Sequence, residues 1–238
     1  MDKIKQSQSA GNDAVMTQMN NCPITMVNCI FGELQTSPDV IAAYGNNITK
    51  YLSTISPKNI ISPKRSVVGP ALEAARWYVD EEYKREIFAK LIAAASNRET
   101  SDAIQDSFVE IIKQLSVQDV NILKSIQNIE MYPIVSVRKK ANKGMDGYRM
   151  ILDPCIILEP IEKDEVKIFT DSVALVNLQR LGLVVCTMSE HITRQELYEV
   201  LYEQALYIQK QKAELGAFYH KGLVRLTPYG KSFVQLCL

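Results

Sequence analysis

What this chain of 238 residues has little of narrows its reading first. There are two histidines and five cysteines (Cys22, Cys29, Cys155, Cys186 and Cys237), with no Cys-x-x-Cys pair among them. Metal centres need several His, Cys or carboxylate ligands at fixed spacings, so no metal site and no cofactor is expected. A disulfide scaffold would be shorter and denser in cysteine, whereas scattered thiols suit a reducing compartment. Long apolar runs are missing too: nothing approaches the roughly 18 residues of a membrane span. The polar opening MDKIKQSQSAGND leads into no apolar segment of the signal-peptide type. A soluble, cytoplasmic protein is the expectation. Neither sign of charge is in excess, with 27 Lys and Arg against 27 Asp and Glu. A chain built to coat nucleic acid or an anionic membrane carries surplus Lys and Arg, so neither is favoured as a partner. No GxxxxGK[ST], HExxH or GxSxG run occurs, nor GxGxxG after a strand, and no catalytic residue is assigned.

What is there falls into distinct textures. From Ser37-Pro38, a cap followed by a first-turn proline, Val40, Ile41, Tyr44, Ile48, Tyr51, Leu52 and Ile55 recur at helical spacing until Pro57. Ser62-Pro63 repeats the start signal, and Gly69-Pro70 predicts a kink or break in the stripe that follows. Tyr83, Ile87, Phe88, Leu91, Ile92 and Ala95 mark another helix, and Ile104, Phe108, Ile111, Ile112 and Leu115 one more. Ser116 with Asp119 three residues on resembles a capping box for a helix through Ile126. After Asn128 the texture becomes β-branched. MYPIVSVRKK, YRMILDPCIILEPI and VKIF read as strands, with a polar KANKGMDG loop between the first two. DSVALVNLQRLG is a helix with Val173, Leu175, Val176, Leu178 and Leu181 expected inside and Gly182 as its stop. LVVCTM is a strand, Thr193–Glu196 caps a helix to about Leu215, and GLVRLT leads through Pro228 into a closing helix.

The resulting fold class is α+β and mostly α-helical. A helical bundle (37–127) is followed by a winged-helix-like α/β domain (128–238), with a short N-terminal β arm (1–36).

Few residues offer chemistry. Arg138, Lys139, Lys140, Lys143 and Arg149, opposed only by Asp146, make a positive hairpin tip. It suits phosphate backbone, an acidic protein partner, or plain solvation. Arg76 and Trp77 offer a stacking site for a base, against the alternative of a core tryptophan whose arginine pairs with a local acid. Asp80, Glu81 and Glu82 sit between two helices, where acids favour the second helix's N-terminus. Cys186 beside His191 or His220 is a weak nucleophile candidate, and both histidines read as surface or capping residues. In DSVALVNLQRLG only Asn177, Gln179 and Arg180 are base-reading types, so that helix reads as packing rather than DNA recognition.

VVGPALEAARWYVDEEYKREIFAKLIAAASN and DSFVEIIKQLSVQDVNIL resemble the abortive infection alpha (Abi-alpha) family of bacterial proteins. LQRLGLV and GLVRLTPYGKSFVQLC resemble its C-terminal signature. The likeness covers roughly Pro57 to Leu238, and SFVEIIKQLS is its most specific block. Gln105-Asp106 stands where many members have His-Pro, and Val117 replaces a common Pro. The opening SAGND and the short β-type runs after it resemble tags that bring chains together ahead of bacterial defence domains; they read equally as a hairpin or a loose arm. The resemblance implies a setting in phage defence, with no catalytic motif to carry over. From it follows the expectation of a non-enzymatic, self-associating protein that binds a protein partner. The alternatives are a winged-helix DNA-binding regulator using the basic hairpin, or an enzyme of unrecognised type.

Overall fold

The computed structural model describes residues 38–140, 147–156, 172–199, 201 and 217–238. The β arm expected over 1–36, Lys143, the strand expected at VKIF and most of the helix expected to reach Leu215 lie outside those residues. What is described is α+β, helices with one four-stranded antiparallel sheet. It divides into two compact units: residues up to 115 together with 235–238, and residues 116–234.

The first unit is helical. Helix α1 (Pro38–Ser53) starts on a proline, whose missing N–H is not needed there, with Asp39 in its first turn and Lys50 in its last. Tyr44, Ile48 and Leu52 recur every four residues and form its buried face. The break predicted at Gly69-Pro70 does not occur: α2 (Arg65–Tyr78) runs through it, two residues later in onset than Ser62-Pro63 suggests. Pro70 costs the helix one bond, to the Ser66 carbonyl, and Ser66, Gly69 and Pro70 are all exposed, so solvent can serve that oxygen. Val67, Val68, Ala71, Leu72 and Ala75 supply the buried side.

Helix α3 (Glu82–Ala95) buries Ile87, Phe88, Leu91, Ile92 and Ala95, as their spacing predicts. Each large apolar side chain buried this way stabilises by roughly 1.5–3 kcal/mol. Lys84 is also buried, at 6% exposure. It is tolerated because its ammonium lies 3.2 Å from the Glu81 carboxylate and 4.1 Å above the Tyr78 ring. The end of α3 is tied to the segment after α1: the Ile61 N–H donates to the Ser96 carbonyl at 2.9 Å and the Arg98 N–H to the Asn59 carbonyl at 2.8 Å. Helix α4 (Phe108–Gln114) adds Phe108, Val109, Ile111 and Ile112 to the core.

The second unit opens with α5 (Val117–Ile126) and the expected capping box. Ser116 Oγ accepts from the Asp119 N–H at 3.2 Å, and the Ser116 N–H donates to Asp119 Oδ2 at 2.7 Å. Strands β1 (Tyr132–Lys140), β2 (Tyr148–Cys155), β3 (Val184–Thr187) and β4 (Ala217–Leu226) stand in the order β2-β1-β4-β3, each pair antiparallel. Residues 133–137 of β1 are all buried, so this interior strand is covered on both faces. β2 lies at an edge, where Pro154 interrupts no ladder on the outer side.

On one face of the sheet Val135, Val137 and Cys155 pack with Tyr198 and Leu201. The Tyr198 hydroxyl donates to the Gly222 carbonyl at 2.8 Å and accepts from the Ile192 N–H at 2.9 Å, so its buried oxygen is satisfied.

Helix α6 (Ser172–Arg180) precedes β3 and stops where predicted, at Gly182. There φ is +73°, the Leu183 N–H bonds the Leu178 carbonyl and the Gly182 N–H bonds the Gln179 carbonyl, which is a Schellman ending. Helix α7 (Pro228–Cys237) is capped by Thr227, whose Oγ1 accepts from the Gly230 N–H at 2.8 Å and donates to the Gly182 carbonyl at 2.6 Å. Gly230 lies so close to Leu183 that a Cβ would sit 1.9 Å from its carbonyl oxygen. The two C-terminal sequence signatures are thus stitched backbone to backbone.

Candidate functional site

The basic residues of the hairpin sit at the ends of β1 and β2. Lys139 faces Arg149, Lys140 faces Tyr148 and Arg138 faces Met150. Because side chains alternate along a strand, Lys139 and Arg149 share one face of the sheet, while Arg138 and Lys140 share the other. Lys140 and Arg149 are exposed; Arg138 and Lys139 are half-buried. On the Arg138 face, the Tyr148 and Phe218 rings meet edge to face with centroids 5.2 Å apart.

That face also carries a polar group which sequence reasoning missed. Ser136 stands directly opposite His220 across β1 and β4, and Arg138 is two residues further along β1. Ser136 is fully buried, and Ser136 Oγ, Arg138 Nε and His220 Nδ1 are buried atoms with no hydrogen-bond partner. Burial, and then the positive charges of Arg138 and His191, hold the His220 pKa below its ordinary value. His220 reads in sequence as bordering a helix. It lies inside β4, and the aromatic pair Phe218-Tyr219 with Leu223, Val224 and Leu226 is the strand-type content that could have placed it there.

Trp77 is not a core residue. It is 71% exposed, while Arg76 keeps the expected local partner, 3.4 Å from Glu73. The reason is helical phase: Trp77 lies about 200° around the helix from buried Ala75, so it points away while Val79, past the helix end, turns in. Glu81 is the N-cap residue of α3, and its carboxylate holds the Tyr83 hydroxyl at 2.7 Å as well as Lys84, so this member of the acidic trio has structural partners.

The reading of α6 needs a correction of the same kind. Ala174, Leu175 and Leu178 are buried, but Val173 and Val176 are 79% and 68% exposed. Three residues apart, they form an outward stripe beside the inward one. They border a cavity of about 480 Å³ also lined by Ile134, Pro154, Leu175, Cys186 and Met188. The polar residues of α6 are engaged internally. Asn177 donates to Asp119 at 2.8 Å, Arg180 donates to Asn177 at 2.7 Å, and Gln179 accepts from the Cys186 N–H at 3.2 Å. Burial pushes the Cys186 thiol up to about 11, which keeps it protonated at neutral pH and a poor nucleophile. Among the described residues, no cluster of three His, Cys, Asp or Glu is placed to hold a metal ion, and no helix is long and apolar enough to cross a membrane.

A sequence model of the family described as abortive infection alpha matches residues 37–237. Comparison with curated proteins gives no match. Among solved structures, the chain is similar to an uncharacterized protein from the hydrocarbon-degrading marine bacterium Alcanivorax borkumensis SK2. The identity is 11%, the alignment covers 58% of this chain and 94% of that one, and the TM-score is 0.33.

Proposed function

The chain belongs to the abortive infection alpha family, and from that membership we propose that it serves bacterial anti-phage defence. It acts there as a cytoplasmic interaction protein that binds a protein partner and associates with copies of itself, the N-terminal arm promoting assembly. The observation that carries the reading is the family match over 37–237, which takes in both compact units. Partner binding is supported by the large apolar side chains left outside: Trp77 on the first unit, Val173 and Val176 on the second. Exposed aromatic anchors are enriched where proteins meet. We read α6, β3, the helical residues 196–199, β4 and α7 as a winged-helix-like module used for docking. The DNA-binding alternative gains no support, since Asn177, Gln179 and Arg180 are occupied within the protein.

The test is a phage challenge of a host with and without the gene, at low and high ratios of phage to cells. Protection at the low ratio with collapse of the culture at the high ratio is the expected result. Unchanged sensitivity across a broad phage panel, in cells that express the protein, overturns the reading.

A further inference from the structure

We propose that Ser136, Arg138 and His220 form a binding site for one phosphate-type oxyanion on a face of the sheet in the second unit. The proposal stands apart from the defence reading and rests on three side chains brought together by strand register. Ser136 and His220 are direct cross-strand partners, and Arg138 follows Ser136 by two residues, so all three project from the same face. Each presents a buried polar atom with no partner: Ser136 Oγ, His220 Nδ1 and Arg138 Nε.

Buried polar groups are nearly always paired, and three orphans on one face call for a common acceptor. Arginine has donors only, serine can donate, and a histidine Nδ1 donates in one tautomer or when charged. One species accepts from all three at once: an oxyanion, and the planar guanidinium fork matches phosphate geometry. Among the described residues no carboxylate forms an ion pair with Arg138. The local field agrees. Arg138 and His191 both act on His220 as positive charges, which favours a negative ligand beside it. Lys140 lies on the same face but is exposed, so it attracts anions without belonging to the buried set.

The experiment uses the full chain, with inorganic phosphate, adenosine 5′-monophosphate and sodium chloride at matched ionic strength as probes. Thermal unfolding and isothermal titration are read together with the imidazole resonances of His220. The expected result is a saturable rise in melting temperature and a His220 shift with phosphate, and none with chloride. A charge-assisted hydrogen bond corresponds to about tenfold or more in affinity, so Arg138→Gln weakens phosphate by at least that factor. Ser136→Ala weakens it by roughly two- to tenfold through a neutral bond and, as a small buried change, keeps the test open if the arginine variant fails to fold. Lys140→Gln changes it by less than about threefold, because an exposed charge is screened. Tighter binding of the nucleotide than of free phosphate assigns the oxyanion to a nucleotide's terminal group; equal binding assigns it to the free ion. No saturable effect beyond chloride, or saturable binding untouched by both Arg138→Gln and Ser136→Ala, overturns the proposal.

Discussion

The two compact units are held together in opposite ways. In the helical unit the decisive residues are close in sequence and large: Tyr44, Ile48 and Leu52 on α1, then Ile87, Phe88, Leu91 and Ile92 on α3. None of α2, α3 or α4 has a side-chain cap at its N-terminus. Stability there comes from filled volume. In the sheet unit the decisive contacts are distant in sequence and made by backbone and small groups. Tyr132 pairs with Val224 and the Thr227 hydroxyl donates to the Gly182 carbonyl, while the local Ser116–Asp119 box opens α5. One unit tolerates little loss of side chain, the other little gain.

The sharpest ways to break that contrast are one deletion and one addition. Phe88 is fully buried in the helical unit, so Phe88→Ala leaves a cavity and should cost about 3–5 kcal/mol, read as a drop in denaturant midpoint. Hydrogen exchange should then quicken in α2, α3 and α4. In the sheet unit the addition of one methyl group should do nearly as much. The Cβ of Gly230→Ala would fall 1.9 Å from the Leu183 carbonyl oxygen, a backbone atom that cannot swing aside. We expect a loss of about 3 kcal/mol, with exchange quickening first around β3 and the start of α7. A fully stable Gly230→Ala protein would show that the Gly182–Thr227–Gly230 stitch is not what holds this unit.

The contrast also explains what was legible in the sequence. Helical stripes repeat within a dozen residues, so the cores of α1, α3 and α4 could be read directly. So could local polar signals: the Ser116–Asp119 box and the Gly182 stop stand where their spacing puts them. Phase at a helix surface was harder. Trp77, Val173 and Val176 are apolar and lie near buried neighbours, yet point outward, because hydrophobicity alone does not say which of two adjacent stripes has a partner. Sheet register was not legible at all. Nothing local in SVRKK or FYHKG indicates that Ser136 faces His220, so the buried polar group on that face emerged only from the pairing of β1 with β4. For the same reason α5, whose helical pattern continues that of α4, groups with the strands that follow it.

A smaller effect sharpens the comparison at the helix ends. Ser116→Ala removes the side-chain acceptor for the Asp119 N–H and should cost about 1 kcal/mol. The bond from the Ser116 N–H to Asp119 survives the change, while the 2.9 Å bond from the Ser116 hydroxyl to Asp119 Oδ2 is lost with the cap, so the loss should stay within about 2 kcal/mol. A loss above about 2 kcal/mol would mean that the Asn177–Asp119 contact depends on the serine as well.

The smallest expected effect separates the units by pH. In the helical unit the Tyr51 hydroxyl donates to Glu86 Oε1 at 2.5 Å, and burial together with that neighbouring carboxylate pushes the phenol up to about 12. The folded protein therefore holds this proton more tightly than the unfolded chain, whose tyrosines titrate near pH 10. The stabilisation is complete below about pH 10 and is lost as the pH rises towards 12. Tyr51→Phe should be less stable than the parent by about 0.5–1 kcal/mol at neutral pH, the contribution of one hydrogen bond. The gap between the two should close between pH 10 and 12, since the variant has no proton to lose at this position. Parallel unfolding curves for the two proteins across that window would show that the Tyr51–Glu86 bond adds nothing, and that the helical unit rests on its apolar volume alone.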